Sequence, residues 1–344
     1  MLLQNQVTVG VIGMGRIGRL HIEHLNRHPQ VILKAVADLR AEDIGEWASQ
    51  QRIGVVTQDA MDVIRDPEID AVLICSSTDS HVELIAAAAE AGKHIFCEKP
   101  VSLDFRSTYR ALQAVQASGV KFQIGFNRRF DPNFRRVKEI VAAGEIGEPQ
   151  IIKITSRDPN PPSYDYVKVS GGMFMDMAIH DFDMARYLAG SEVTEVYVKA
   201  AVLVDPVIGE LGDVDTAVMT LQFENGALGV IDNSRQAAYG YDQRVEVFGS
   251  KGQVNVQNDF PNSAELSTRN GVYKDTPKHF FMERYETAYR LEMESFIDAV
   301  LRGGDVLIGG EDGYKAELLA ACAAKSWKEK RPVKVSEISV PAPT

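Results

Sequence analysis

Three residues of this chain have the types and spacing that proton-coupled chemistry needs: Lys99, Asp176 and His180. Lys99 stands in "HIFCEKPVS", where a strand-like apolar run stops at a proline. Proline cannot donate to a sheet ladder, so the lysine sits at or just past the carboxyl end of a strand. In open α/β sheets that edge binds ligands. Asp176 and His180 lie in "SGGMFMDMAIHDFDMARYLAG", which ends as a helix closed by Gly190. Four residues apart, they share a helix face, and Asp183 follows three residues later. An imidazole titrates near neutrality and can accept a hydroxyl proton. An ammonium beside the same oxygen stabilises developing negative charge. A carboxylate orients the ring or holds a neighbouring hydroxyl. Lys99 could instead be the base, if a dry site lowers its pKa. Plainer alternatives stand beside these: a surface lysine paired with Glu98, and a helical turn with satisfied polar groups. A metal role for His180 lacks a second ligand set.

The elements that must position Lys99 alternate regularly. "VTVGVIG", "VILKAVAD", "IDAVLICSS", "KHIFCEK" and "VKFQIGF" are strand-like, with helical stretches such as "RIGRLHIEHLNRHP" and "HVELIAAAAEAG" between them. Apolar strands alternating with amphipathic helices predict parallel βαβ units, so residues 1–126 read as a doubly wound domain. At its first strand–helix junction stands Gly13-Met14-Gly15-Arg16-Ile17-Gly18, a G-x-G-x-x-G pattern. Gly13 permits the tight turn, Gly15 lets backbone approach a pyrophosphate, and Gly18 lets the helix pack closely. Asp38 ends the second strand, 20 residues beyond Gly18, and suits a ribose 2′-hydroxyl. It favours NAD over NADP; Arg40 reads as a solvated side chain. Ser76, Ser77 and Thr78 line the cofactor at the end of the fourth strand, with Asp79 or Ser80 capping a helix from His81.

The rhythm changes after residue 126. Residues 127–336 read as an α+β domain around a large, mainly antiparallel sheet, with hairpin signals at Asn225-Gly226 and in "FGSKGQV". Two late helices carry apolar faces, and residues 337–344 read as a loose tail. Catalytic parts drawn from both domains place the substrate in the cleft between them. A sheet covered by helices on one face leaves the other to bury against another subunit, so a homo-oligomer is expected.

Composition limits the function classes. At 344 residues the chain exceeds one compact core. A formal net charge of −11 disfavours nucleic-acid binding. No apolar run spans a bilayer, and "MLLQNQVTVGVIG" lacks the pattern of a secretory leader. Cys75, Cys97 and Cys322 sit in apolar surroundings without metal or disulfide spacing, as buried free thiols. These features predict a cytoplasmic protein.

"GMGRIG", "EKP" and "GGMFMDMAIHDFDMARYLAG" together resemble the glucose–fructose oxidoreductase/inositol dehydrogenase (Gfo/Idh/MocA) family over nearly the whole chain. Within it, "GFNRRFDPNF", "ITSRDP" and "NSRQAAYGYDQRVEVFGSKG" are most similar to bacterial inositol 2-dehydrogenases. The resemblance implies NAD-dependent oxidation of myo-inositol to scyllo-inosose. It places Lys99 against substrate and cofactor and gives His180 the base role, beside Asp176. It implies further cofactor contacts from Gly13, Gly15, Arg16, Ile17, Asp38, Ser76, Ser77, Thr78, His81 and Glu98. Arg128, Asp158, Asp183 and Tyr239 fall on substrate-lining positions, with no metal, and the assembly implied is a homotetramer. Other functions remain open on the residues alone: a dehydrogenase of another cyclitol or sugar, a glycoside hydrolase that uses NAD transiently, or a non-catalytic NAD sensor.

Overall fold

The computed structural model describes residues 6–338. The chain forms two compact units. Unit 1 runs to Asn127 and includes Thr287–Glu317; unit 2 comprises Arg128–Glu286 and the chain from Leu318 on.

Unit 1 holds a six-stranded parallel sheet in the order β3-β2-β1-β4-β5-β6. Its strands are β1 (Val7–Ile12), β2 (Val31–Ala37), β3 (Val55–Thr57), β4 (Ala71–Ile74), β5 (His94–Glu98) and β6 (Phe122–Gly125). This is the order of dinucleotide-binding folds, with the topological switch between β1 and β4. The strands are near-continuously apolar because helices cover both faces; all four residues of β4 are buried. The helix after β4 starts at Thr78 with Ser77 in the capping position, three residues earlier than predicted. Ser80 donates back to the Ser77 carbonyl, so it belongs to the first turn instead of preceding it.

The unit boundary differs from the single break expected after residue 126. The helix Glu286–Arg302 sends Met293, Phe296, Ile297 and Leu301 into one apolar core with Val7, Val9, Val11 and Phe96. Helical periodicity reveals an apolar face but not which core that face joins, which is why this return was not legible.

Unit 2 is built on a seven-stranded sheet ordered β12-β11-β7-β10-β9-β8-β15. These are β7 (Pro149–Arg157), β8 (Val193–Ala201), β9 (Thr216–Phe223), β10 (Leu228–Ser234), β11 (Asp242–Gly249), β12 (Gly252–Val256) and β15 (Val333–Lys334). Only β7 and β10 run parallel; every other pair is antiparallel. Both predicted hairpins form, β9–β10 with Gly226 at φ +87° and β11–β12. A small exposed hairpin, β13 (Glu265–Thr268) with β14 (Gly271–Lys274), was not predicted. Strand β9 alternates cleanly: Ala217, Met219, Leu221 and Phe223 are buried while Val218 and Thr220 are not. The helix Ala178–Ala189 packs on β7 and β10. The expected tail begins as structure, because Glu337 closes a 3₁₀ turn and pairs with Arg331. Residues 339–344 of that tail lie outside the described residues. No described helix is long and apolar enough to cross a membrane.

Candidate active site

The carboxyl edge of the unit 1 sheet is built largely from backbone. Gly13 adopts φ +95°, and a Cβ there would stand 2.4 Å from Ser76 N and 2.5 Å from the Cys75 carbonyl oxygen. The β1 turn thus lies against the end of β4, at the topological switch. A Cβ on Gly18 would stand 2.0 Å from the Gly13 carbonyl oxygen, so the helix Arg16–Leu25 can start here only with glycine at that point. Gly15 differs: a Cβ would meet nothing within 4 Å. Its smallness serves no packing inside the chain and leaves space at a helix N-terminus, as a pyrophosphate requires. Arg16 and Ile17 open that helix, exposed and half-buried. Asp38 follows β2 and accepts from Met14 N at 2.7 Å and Arg40 N at 2.9 Å, which ties the acid to the glycine turn. Ser76 Oγ lies 2.7 Å from Ser80 Oγ, and Ser77 and Thr78 open the next helix. An open Gly15 beside a fixed Asp38 fits a dinucleotide whose ribose offers a free 2′-hydroxyl.

Two predicted cofactor residues point elsewhere. His81 is 1% exposed; Nδ1 lies 2.9 Å from the Pro100 carbonyl oxygen and Nε2 3.1 Å from that of Ser76. It is an internal tie between two loop segments, and burial pushes its pKa down. Glu98 turns its carboxylate inward to His21 Nε2 at 2.7 Å. A Cβ on Gly125 would stand 2.9 Å from Glu98 Oε2, so this glycine makes room for the acid. Glu292 completes the cluster, with one side-chain polar atom from each of the three residues within 4.8 Å of the others. Burial, reinforced by the charge of Glu98, pushes Glu292 well above its ordinary value. Lys99 is half-buried and joined to Pro100 by a cis peptide bond.

Unit 2 assembles its polar cluster from side chains on four separate segments. Gly171 and Gly172 take φ +81° and +78°, turning the chain into a π-helical turn, Met173–Met177, that runs into the helix Ala178–Ala189. Asp213 accepts from Met173 N at 3.0 Å and fixes this start. Asp176 lies in the π turn and His180 in the following α turn. Tyr166 donates to Asp176 Oδ1 at 2.8 Å. Arg235, 4% exposed, donates to Asp176 Oδ2 at 3.0 Å and to Asp158 Oδ2 at 3.2 Å. Burial opposes the charge of Arg235, but Asp176 and Asp158 raise its pKa above the ordinary value. Burial pushes Asp158 up against the pull of Arg235. Burial and Asp176 hold the Tyr166 phenol protonated. The result is a neutral donor, a fixed cation and a second acid arranged around Asp176, with the half-buried His180 one turn along the chain. Such a set can bind several hydroxyls and move a proton.

Tyr166, Arg235 and Asp213 were missed in sequence. One signal was present for Arg235: Ile231, Asn233 and Arg235 alternate onto the buried side of β10 and its extension, where polar residues are unexpected. Three predicted substrate residues are placed differently. Arg128, 4% exposed, donates to Asp181 Oδ1 and Ser156 Oγ. Asp183, 1% exposed, takes a two-pronged bond from Arg129. These are internal ion pairs that lock the helix Ala178–Ala189 to the residues after β6, because a buried guanidinium demands a carboxylate. Tyr239 lies in a turn, donates to Asp242 and accepts from Arg157 at 3.2 Å.

Fold and edge chemistry together define an oxidoreductase that binds a dinucleotide in one unit and carries a cluster of two acids, an arginine and a tyrosine in the other. Residues 7–126 match the model of an oxidoreductase family with an NAD-binding Rossmann fold, and residues 134–255 match the GFO/IDH/MocA C-terminal domain. The chain belongs to the Gfo/Idh/MocA family and is an NAD-dependent oxidoreductase. It is 49% identical to myo-inositol 2-dehydrogenase of Thermotoga maritima, over 96% of this chain and 99% of that one. It is 53% identical to an uncharacterised oxidoreductase of Bacillus subtilis, over 97% and 98%. A scyllo-inositol dehydrogenase from Lactobacillus casei, crystallised with NAD(H) and scyllo-inositol, matches with a TM-score of 0.90 at 29% identity, covering 96% of this chain and 99% of that one.

Proposed function

We propose that this enzyme oxidises myo-inositol to scyllo-inosose. NAD, when bound, takes the hydride from the carbinol carbon. Gly13, Gly15 and the N–H groups at the helix start bind the pyrophosphate, and Asp38 binds the ribose. His180 accepts the hydroxyl proton, which general-base catalysis makes worth roughly 10²–10⁴-fold. Lys99 steadies the same oxygen as negative charge grows on it. Asp176, oriented by Tyr166 and Arg235, holds a neighbouring ring hydroxyl, and Asp158 takes another. The observation that carries this reading is the Tyr166–Asp176–Arg235–Asp158 set, since a cyclitol offers a hydroxyl for each paired group. The 49% identity to a myo-inositol 2-dehydrogenase supports it.

The test is NADH formation by the purified protein with NAD and myo-inositol, with NADP and no-substrate controls, followed by identification of the ketone. A signal with scyllo-inositol alone would replace the substrate and keep the machinery, as the Lactobacillus casei relative suggests.

The assembly proposed is a homotetramer. Phe248, Ile151 and Leu228 form one cross-strand row on the outer face of the unit 2 sheet, each more than two-fifths exposed. Such a row is covered when two sheets meet face to face. Light scattering that gives a monomer mass would remove the proposal.

A further inference from the structure

Lys99 belongs to a five-residue segment, Glu98 to Ser102, that leaves β5. Its other four members are each tied from the interior of unit 1. His21 Nε2 lies 2.7 Å from Glu98 Oε1, and His81 Nδ1 lies 2.9 Å from the Pro100 carbonyl oxygen. Glu317 Oε1 accepts from Val101 N at 2.7 Å and Ser102 N at 3.2 Å. Its second oxygen lies 2.5 Å from Thr108 Oγ1. The side chains doing the tying are themselves buried: His21 and Glu317 are 0% exposed and His81 1%.

Glu317 is the unexpected member. Its neighbours along the helix Gly310–Glu329 are Ala316, Leu318, Leu319 and Ala320, which are apolar and buried. A carboxyl there is costly unless it answers a specific need. The need is visible: past the last ladder bond of β5, the N–H groups of Val101 and Ser102 face the interior and require an acceptor. Thr108 sets the plane of the carboxyl that supplies it.

We infer that Glu317 is a positioning residue for Lys99. By accepting both N–H groups, while His81 holds the carbonyl of the intervening proline, it fixes the backbone from which the ammonium is aimed at the substrate oxygen. This inference rests on Lys99 contacting substrate, as proposed above. Displacing a reacting group by about 1 Å can cost up to ~100-fold in rate.

The experiment compares Glu317→Met, Glu317→Gln, Lys99→Met and the double variant Lys99→Met/Glu317→Met in the full chain. It measures kcat, KM for the polyol, NAD affinity by fluorescence, and circular dichroism. Glutamine keeps an oxygen for the two N–H groups; methionine keeps only the length. The expected result is kcat reduced ~10- to 100-fold in Glu317→Met, with NAD affinity within about threefold. Glu317→Gln should return to within about threefold of the parent, and the double variant should be no slower than Lys99→Met, since the two residues act as one unit. Parental kcat in Glu317→Met, or losses that multiply in the double variant, would overturn the inference. If Lys99→Met itself turns over normally, the functional reading of Lys99 fails first, and the two failures are thereby told apart. Should Glu317→Met not fold, Thr108→Val reports on the same link: a few-fold fall in kcat at unchanged NAD affinity supports it, and no change overturns it.

Discussion

The two units reach their chemistry by opposite means. In unit 1 the cofactor edge is made of backbone: glycines at a crowded turn, N–H groups at a helix start, and Asp38 tied to Met14 N. In unit 2 the cluster is made of side chains from four separate segments, which together form no contiguous motif. A backbone site is fixed by local sequence, since the turn and its spacing dictate the geometry. A side-chain site is fixed by tertiary pairing, and each partner depends on the others. Substitutions in the first region should act through shape and cofactor affinity, and those in the second through charge and turnover.

The comparison breaks most visibly at Gly13. Gly13→Ala puts a Cβ 2.4 Å from the Ser76 nitrogen at φ +95°, where backbone must move. The expected outcome is loss of detectable NAD binding, read by fluorescence titration, with a lowered unfolding midpoint. Retained affinity would mean the turn is more pliable than its packing implies. Gly15→Ala, where a Cβ meets nothing in the chain, should fold normally and lose NAD affinity alone, which separates cradle from packing. Next comes Arg235→Met. It leaves Asp158 and Asp176 without their shared cation, and breaking such a buried set typically costs about 3–5 kcal/mol. Turnover should fall ~100-fold or more, while NAD affinity stays within a few-fold. If NAD affinity collapses with turnover, the two effects are not separable.

The same contrast explains what was legible. The glycine pattern, Asp38 and the alternating strands announce themselves because spacing alone carries them. Asp176 and His180 stand out in the sequence for a similar reason, being near neighbours on one helical run. Tyr166 and Arg235 were not, because residues 166, 176 and 235 meet only through the fold of unit 2. Arg128 and Asp183 misled in an instructive way. Charged residues near a predicted site suggest ligand contact, yet adjacent arginines at 128 and 129 met carboxylates at 181 and 183 on one helix. A matched i, i+1 and i, i+2 pattern of opposite charge gives no warning that it will be buried. The return of residues 287–317 to unit 1 was hidden for a related reason: amphipathicity does not name its partner.

The smallest effect sharpens the contrast from inside unit 1, whose Lys99 turn depends on a titratable side chain and not on backbone alone. Burial pushes the Glu317 carboxyl from 4.5 up to about 8, against the pull of Thr108 and the two N–H groups. Between those two values the folded chain holds a proton that the unfolded chain has released. Stability from this group is therefore full below the lower value, falls as pH rises through the window, and levels off above about 8. Glu317→Gln has no such proton to lose. The difference in unfolding midpoint, variant minus parent, should rise by several degrees between pH 5.5 and pH 8.5, each pKa unit being worth about 1.4 kcal/mol. Every other titrating group is common to both proteins and cancels in that difference. A flat difference across the range would mean that Glu317 is already ionised at neutral pH, held by its three donors as a carboxylate; the clamp on Val101 and Ser102 would then be electrostatic and stronger than a neutral acid can provide.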